Sequence, residues 1–244
     1  DSALTSIKSL QMDWEAQGFV FALIDSSPMT ETAALRAIKQ TANLPFPLFI
    51  DDSQLVSESL GFTKAGEIAV LDPERLSLVY RGGFSPELAL SLASEMSGGA
   101  NETIVAMAGG CEINYPVREQ HVSAAPDYSL DVAPIIAEQC AACHREGGIG
   151  PFAMDSHLMI KGWSPMIREV LLTKRMPPMQ VDPSIGHFNN ASYISDADMQ
   201  ILVHWIDAGA PRGAGSEDPL AELDFPDRNT WQLGEPDYII KAPK

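Results

Sequence analysis

Basic residues are scarce in this sequence. Sixteen Lys and Arg stand against 33 Asp and Glu, which gives a formal net charge of −17 at pH 7. Phosphate backbones and anionic lipids repel a chain this acidic, so the charge argues against nucleic acid or an anionic membrane surface as partner. It suits solubility, or a basic partner protein that is steered to the surface electrostatically.

Long apolar stretches are also missing. No uninterrupted run approaches the roughly 20 residues that a helix needs to cross a bilayer, so we expect no membrane insertion. The opening Asp1-Ser2-Ala3-Leu4 lacks the basic region of a signal peptide, and we interpret it as an interior or processed start. Hydrophobic residues still make up 45% of the 244, enough for packed cores in one large domain or two ordinary ones.

Cysteine is the third scarce residue type. The chain has three, and two of them lie in Cys140-Ala141-Ala142-Cys143-His144. A zinc site would need further Cys or His at ligand spacing, and there is no second cysteine pair. A thioredoxin-type dithiol normally follows a strand, whereas this pair ends a helix-like stretch at residues 130–139. The CxxCH pattern in this context indicates the attachment site of a c-type haem.

The spacing suits that chemistry. One helical turn brings the thiols of Cys140 and Cys143 to the same edge of a porphyrin, where each bonds to one vinyl group, and His144 ligates the iron. We therefore predict one covalent haem c and, because haem c is attached outside the cytoplasm, a periplasmic or extracellular location. Cys111 is left over, either as a partly buried free thiol or in a disulfide to a cysteine upstream of Asp1 or on a partner.

Residues 1–118 alternate between helical and strand patterns. Apolar spacing and cap residues predict helices at about residues 4–17, 30–42 and 53–60 and from residue 85, and strands at 19–24, 46–51, 67–71 and 76–81. The last helix would bury Leu88, Leu92 and Met96. This order predicts an α/β sandwich.

Three stretches of this half resemble the thioredoxin-like proteins of the peroxiredoxin/redoxin group. They are Val20 to Ile24, Phe46 to Asp51, and Ala69 to Asp72 followed by Tyr80-Arg81-Gly82. The resemblance implies a thioredoxin-like sandwich whose first strand, with the redox cysteine, is missing before Asp1. Gly66 stands where the family has its cis-proline, so we expect a redox-inactive scaffold or docking domain. A partner chain or another segment would complete its sheet.

The second half is predicted to be helical after a polar linker. We expect a linker at 119–126 that leaves His121 solvated, an all-α domain at 127–213 and an acidic extended tail at 214–244. Predicted helices run from Asp131 to Cys143, from Ser164 to Lys174 with Pro165 at the start, and from Ser195, capped with Asp198, to Gly209. A role for His121 as second haem ligand is the alternative. We expect His157 and His204 to be surface or core residues.

Residues 127–213 resemble the class I-like cytochrome c domain found beside redoxin domains in bacterial multidomain proteins. The resemblance is carried by Asp131 to Ile135, Cys140 to His144, Pro165 to Val170, Arg175 to Pro178 and Trp205 to Pro211. It implies that Pro151, in a glycine-rich loop, places its carbonyl against the ring N–H of His144. The tail from Trp231 to Asp237 is similar to the connector that leads, in such proteins, to a copper-dependent monooxygenase-like domain.

Met176 is the predicted sixth iron ligand. It precedes a double proline that ends the helix and holds the loop extended. Class I cytochromes c, which this domain resembles, commonly carry the distal methionine in such a loop, and thioether ligation raises the reduction potential relative to two histidines. His187 and Met179 stay open as alternatives.

These observations lead to an electron carrier as the main functional prediction, and not to an enzyme. One haem c would exchange electrons with a redox partner protein, a basic one given the charge, while the first half supplies a docking surface. Two alternatives stay open. The chain could feed electrons to a monooxygenase or thiol centre on another segment, or it could be a haem-bearing subunit of an extracellular assembly.

Overall fold

The computed structural model describes residues 11, 14–27, 31–85, 87–88, 91–92, 94, 102–181, 186, 188, 193–225 and 234–240. The chain divides into two compact units, Asp1–Pro116 and Val117–Lys244. Several predicted features lie outside the described residues, namely Leu4, Ile7 and Leu10 of the first helix, Met96, His187 and the first three residues of the connector, Trp231 to Leu233. In the part of the chain that is described, no helix combines the length and apolar character that a membrane crossing requires.

The first unit mixes short helices and strands, which confirms the predicted mixed class for this half. In chain order its elements are β1 (Leu23–Asp25), α1 (Thr32–Thr41), β2 (Leu48–Ile50), α2 (Leu55–Leu60), β3 (Ile68–Asp72), β4 (Ser77–Gly82) and β5 (Ile104–Val105). Helix α2 ends at Gly61, whose φ of 71° is left-handed. Glycine adopts this conformation without strain because it has no Cβ. Strand β5 has no counterpart among the predicted elements.

The strands of the described residues form two sheets. β1 pairs in parallel with β2, while β3 pairs antiparallel with β4, which pairs in parallel with β5. A turn joins β3 to β4, in which the carboxylate of Asp72 accepts hydrogen bonds from the N–H groups of Glu74 and Arg75 at 2.8 and 3.0 Å. A buried cluster lies on the second sheet and consists of Val70, Val79, Tyr80, Leu88 and Leu92. The single sandwich completed by another strand stays a prediction.

The second unit is helical, with no strand among its described residues. Its elements are α3 (Pro116–Ser123), a π-helical turn (Tyr128–Val132), α4 (Ala133–Gln139), α5 (His157–Leu172) and α6 (Asp196–Asp207). Helix α3 corrects the predicted linker, which was expected to lack regular structure. It is held within the unit because Nδ1 of His121 lies 2.8 Å from Nδ1 of His204, a residue only 8% exposed. His121 is therefore not a solvated linker residue.

Helix α5 begins seven residues earlier than the predicted helix and contains Pro165 in its interior. Proline has no N–H to give the carbonyl four residues back, which is why it was expected at a helix start. Here the hydroxyl of Ser164 donates to that carbonyl, the one of Lys161, at 2.8 Å. The substitute hydrogen bond lets the helix continue through the proline. Ile160, Ile167 and Leu171 form the buried side of α5.

Helix α6 confirms its predicted cap. The hydroxyl of Ser195 accepts a hydrogen bond from the N–H of Asp198 at 3.1 Å and donates to the carboxylate of Asp198 at 2.7 Å. The helix ends before Gly209, whose φ is 86°. Trp205, which has no exposed surface, is the largest side chain in the core of this unit.

The stretch after α6 was predicted as an extended tail from residue 214, and its first part is instead packed into the unit. Leu220 is 2% exposed. Asp218 accepts hydrogen bonds from the hydroxyl of Tyr128 and from the N–H of His157, each at 2.7 Å. The second unit therefore extends beyond the predicted boundary at 213, because contacts distant in sequence hold the chain down.

Candidate haem site

The CxxCH sequence forms one turn at the end of α4. The N–H groups of Cys140 and Ala141 share the carbonyl of Ile136 at 3.0 and 2.9 Å, which widens the helix at its end. The N–H groups of Cys143 and His144 in turn share the carbonyl of Cys140 at 3.2 and 3.0 Å. The predicted helix to Cys143 is therefore too long, since α4 stops at Gln139. The cysteines are nevertheless one hydrogen-bonded turn apart, as double attachment to a porphyrin requires.

The two thiols of this turn are not paired in a disulfide. Cys140 is half-buried, Cys143 is exposed, and neither forms a disulfide. Burial, with a smaller contribution from the nearby Cys143, raises the pKa of the Cys140 thiol to about 12. Dithiol oxidoreductases need the opposite, a cysteine whose pKa is lowered so that the thiolate is present at neutral pH. The environment of Cys140 therefore argues against a thioredoxin-type reaction.

The imidazole of His144 is held in one tautomer. Its Nδ1–H donates to the backbone carbonyl of Phe152 at 3.1 Å, and a carbonyl can only accept. With the proton on Nδ1, the lone pair for a metal lies on Nε2. The predicted acceptor, the carbonyl of Pro151, is wrong by one residue. The N–H of Met154 bonds to the carbonyl of His144 at 2.7 Å, and this tie brings the carbonyl of Phe152 to the ring.

Gly150 allows the loop to lie directly against this imidazole. Its N–H bonds to the carbonyl of Cys143 at 2.9 Å. A Cβ on Gly150 would come within 2.7 Å of Nδ1 and 2.8 Å of Cγ of His144, closer than real Cβ contacts allow. In the structure, the flat group beneath Gly150 is the histidine ring.

An aromatic stack continues from the histidine to helix α5. The ring of Phe152 lies 4.8 Å from that of His144, centroid to centroid, at an interplanar angle of 54°. The ring of Phe152 also stacks on that of Trp163 of α5, with centroids 4.4 Å apart and an interplanar angle of 9°. Sequence reasoning missed both aromatic residues. The available signal was the Pro-Phe pair that ends the glycine loop, followed by a tryptophan on the next helix.

One face of α5 beside this stack is apolar and open. Met159, Trp163 and Met166 recur at helical spacing and are 36%, 37% and 53% exposed. Contiguous apolar surface of this kind commonly marks a ligand or partner site. Because Trp163 carries the contact to Phe152, this open face and His144 belong to one region of the unit.

Met176 lies in the loop that leaves α5. Its N–H bonds to the carbonyl of Val170 at 3.2 Å, and its carbonyl accepts from the side-chain amide of Gln180 at 3.0 Å. Its side chain is 39% exposed and so is not core filler, while Met179 is 91% exposed. The third predicted ligand, His187, lies outside the described residues. The loop's backbone is therefore fixed at its start and presents the Met176 thioether near the end of the helix that carries Trp163.

The remaining candidate residues are not part of the CxxCH turn or of the loop that follows it. Cys111 is an exposed thiol, not a partly buried one, and its carbonyl accepts from the N–H of Ala65 at 2.8 Å. His157 donates from Nε2 to the carbonyl of Ala210 at 2.9 Å, and His204 is buried beside His121. Within the described residues, no three His, Cys, Asp or Glu side chains group together as ligands for a metal ion. A zinc site that uses the cysteine pair therefore has no further ligands in this part of the chain.

Comparisons with protein-family models, with curated proteins and with solved structures find no match to this chain. The elements that bear on function are the CxxCH turn, the loop that follows it and helix α5. These three elements supply two thiols, one imidazole in a defined tautomer and an open apolar face.

Proposed function

We propose that this protein is an electron carrier that would bind one covalent haem c through Cys140 and Cys143, with His144 as a ligand of the iron. The observation that carries the proposal is the hydrogen bond from Nδ1 of His144 to the carbonyl of Phe152 at 3.1 Å. A backbone acceptor on Nδ1 fixes the tautomer that binds metal through Nε2 and makes the ligand more basic. An imidazole prepared in this way, directly after two unpaired cysteines one turn apart, fits haem ligation.

The surroundings of the turn also fit a porphyrin. A haem has two large apolar faces, and the open face of α5 formed by Met159, Trp163 and Met166 has the matching chemistry. Gly150 provides the close backbone approach at the histidine that a side chain would prevent. The residues present are thus two thiols for attachment, a nitrogen ligand and apolar side chains that exclude water from the macrocycle.

When bound, the haem would supply a one-electron couple between ferric and ferrous iron. The chain's own residues would hold that group and adjust its potential. His144, with its Nδ1–H bonded to Phe152, would donate electron density and favour the ferric state. Met176 would supply a second ligand to the iron, since its side chain is accessible in the loop after α5. A soft thioether ligand would favour the ferrous state.

The proposal extends to location and partner. Covalent haem attachment would place the protein in the periplasm or outside the cell. A net charge of −17 would attract a basic redox partner and accelerate the encounter at low ionic strength. The first unit would act as a scaffold or docking surface.

Thiol chemistry at the cysteine pair is disfavoured, because the raised pKa of Cys140 keeps its sulfur protonated at neutral pH.

Cysteine substitutions in a host that matures c-type cytochromes test the proposal. We expect the wild-type chain to keep its haem through a denaturing gel and the Cys140→Ala/Cys143→Ala double variant to lose it. Cys111→Ala is the matched control, since this exposed cysteine lies outside the site, and it should retain haem fully. Covalent haem in the double variant, or its absence from the wild type, would refute the assignment.

A further inference from the structure

The stack formed by Phe152 and Trp163 has a specific geometry relative to His144. Phe152 contacts the histidine twice, through its carbonyl at 3.1 Å from Nδ1 and through its ring at a centroid distance of 4.8 Å. The indole ring of Trp163 stacks parallel to that phenyl ring, with centroids 4.4 Å apart and an interplanar angle of 9°. Parallel stacking at this distance restricts both rotation and sliding of the phenyl ring. The backbone of Phe152 is thereby held at the place where it accepts the histidine proton.

We infer that Trp163 is a positioning residue, which acts through Phe152 to fix the strength of the His144 hydrogen bond and so the reduction potential of the bound haem. The inference rests on the proposed function and assigns part of its tuning to a residue 19 positions beyond the ligand.

Phe152 and Trp163 differ in how firmly the surrounding structure anchors them. Phe152 lies in a loop without regular structure, whose own ties to the turn are the bonds from Gly150 to Cys143 and from Met154 to His144. Trp163 lies near the middle of α5, which runs from His157 to Leu172 and buries Ile160, Ile167 and Leu171. A helix fixed by its core side moves less than a loop. The stack therefore transfers the rigidity of α5 to the carbonyl that faces Nδ1.

The expected consequence of losing the stack has a definite sign. A looser Phe152 lengthens the hydrogen bond, makes the imidazole a weaker donor and reduces the preference for ferric iron. The potential should therefore rise in Trp163→Ala, whereas loss of Trp163 merely as an apolar cover of the haem would admit water and lower the potential. At a fixed applied potential, the ratio of oxidised to reduced haem should fall by about two- to tenfold, the range that corresponds to weakening one hydrogen bond. Trp163→Phe, which keeps a flat ring, should restore most of the wild-type ratio.

The test is a redox titration of the haem-loaded chain and its variants. Leu158→Ala is the matched control, because Leu158 is on the same helix, is 78% exposed and lies outside the stack. We expect all variants to keep covalent haem, the potential to rise in Trp163→Ala, and Leu158→Ala to match the wild type. A Trp163→Ala potential equal to or below that of the wild type would overturn the inference. If that variant does not fold, the same titration is done with Phe152→Leu, which keeps the carbonyl and removes the ring. Its potential should also rise, and a potential equal to or below that of the wild type would overturn the inference.

A second measurement separates this inference from the haem proposal. In the haem-free chain, nitrogen NMR reports which ring nitrogen of His144 carries the proton. We expect the Nδ1–H tautomer to dominate in the wild type and to lose population in Trp163→Ala. If no form of the chain binds haem covalently, the proposed function is wrong. The tautomer comparison still tests whether Trp163 positions His144, because it needs no haem. Equal tautomer populations in the two proteins would count against it.

Discussion

The carboxylate of Asp218 accepts a hydrogen bond at 2.7 Å from the N–H of His157, the first residue of helix α5. Ser156, at the N-cap position of that helix, makes no side-chain cap bond of its own. A residue 61 positions further along the chain thus supplies the cap. Asp218 also accepts from the hydroxyl of Tyr128, a residue with no exposed surface. The segment after α6 therefore stabilises the helix that carries Trp163.

Asp218→Asn should destabilise the second unit by about 1–2 kcal/mol at neutral pH, the usual cost of losing a charged helix cap. Chemical denaturation followed by far-ultraviolet circular dichroism measures the change. Glu222→Gln, an exposed carboxylate nearby, is the control and should leave stability unaltered within about 0.5 kcal/mol.

The same carboxylate gives this prediction a pH dependence. Burial alone would raise the pKa of Asp218, but the hydrogen bonds from His157, Tyr128 and Leu220 and the charge of Arg212 together hold that pKa below its ordinary value. A lowered folded-state pKa contributes stability above the unfolded-state pKa of about 3.9, and that stability is lost as the pH falls through the folded value. The difference between wild type and Asp218→Asn should therefore shrink on acidification below pH ~4. A difference that grows there would contradict the assignment.

The histidine pair gives a second prediction. His121 of α3 and His204 of α6 lie with their Nδ1 atoms 2.8 Å apart. His204→Ala should loosen α3, so amide hydrogen exchange at residues 117–123 should accelerate by about fivefold, the effect of losing roughly 1 kcal/mol. Arg118→Gln on the same helix serves as control for a change of surface charge alone. Unchanged exchange in His204→Ala would show that α3 is held by other contacts.

The accuracy of sequence reasoning varied with the range of the interaction. The caps at Ser195 and Gly61 and the turn at Asp72 were predictable, because each is formed by residues within a few positions. The cap that Asp218 supplies to α5 was not, since it joins residues 61 positions apart in sequence. The pattern of residue types therefore predicts hydrogen bonds between residues close in sequence, and it does not predict those between residues far apart.

The candidate site shows the same division. Cys140, Cys143 and His144 were identifiable because their spacing itself encodes the chemistry. The acceptor for His144 was misassigned to Pro151, since a one-residue shift in a loop leaves no mark in the residue pattern. The stack of Phe152 on Trp163 joins residues 11 positions apart on a loop and a helix, a separation with no periodic signature.

Met176 gives the third prediction. A methionine sulfur on ferric haem produces a weak charge-transfer band at the red end of the visible spectrum, and two histidines do not. Met176→Ala should remove this band and lower the potential, because the thioether favours ferrous iron. Met179→Ala and His187→Ala are the controls and should keep the band. A wild-type protein without it, or its loss in either control alone, would move the sixth ligand away from Met176.

The absence of thiol exchange is the fourth prediction. With a pKa of about 12 at Cys140, only about one thiol in 10⁵ is ionised at pH 7. The haem-free chain should therefore reduce insulin no faster than the Cys140→Ala/Cys143→Ala variant, in which Cys111 is the one remaining cysteine. Faster turnover by the wild-type chain would revive a thiol oxidoreductase function.

The mass of the intact, denatured protein from a host that matures c-type haem tests the central claim most directly. We predict the mass of the polypeptide plus one haem, and after digestion a haem-bearing peptide that contains Cys140, Cys143 and His144. Cys111 should be recovered on an unmodified peptide. A denatured chain with the mass of the polypeptide alone, or haem on any other peptide, would contradict the account.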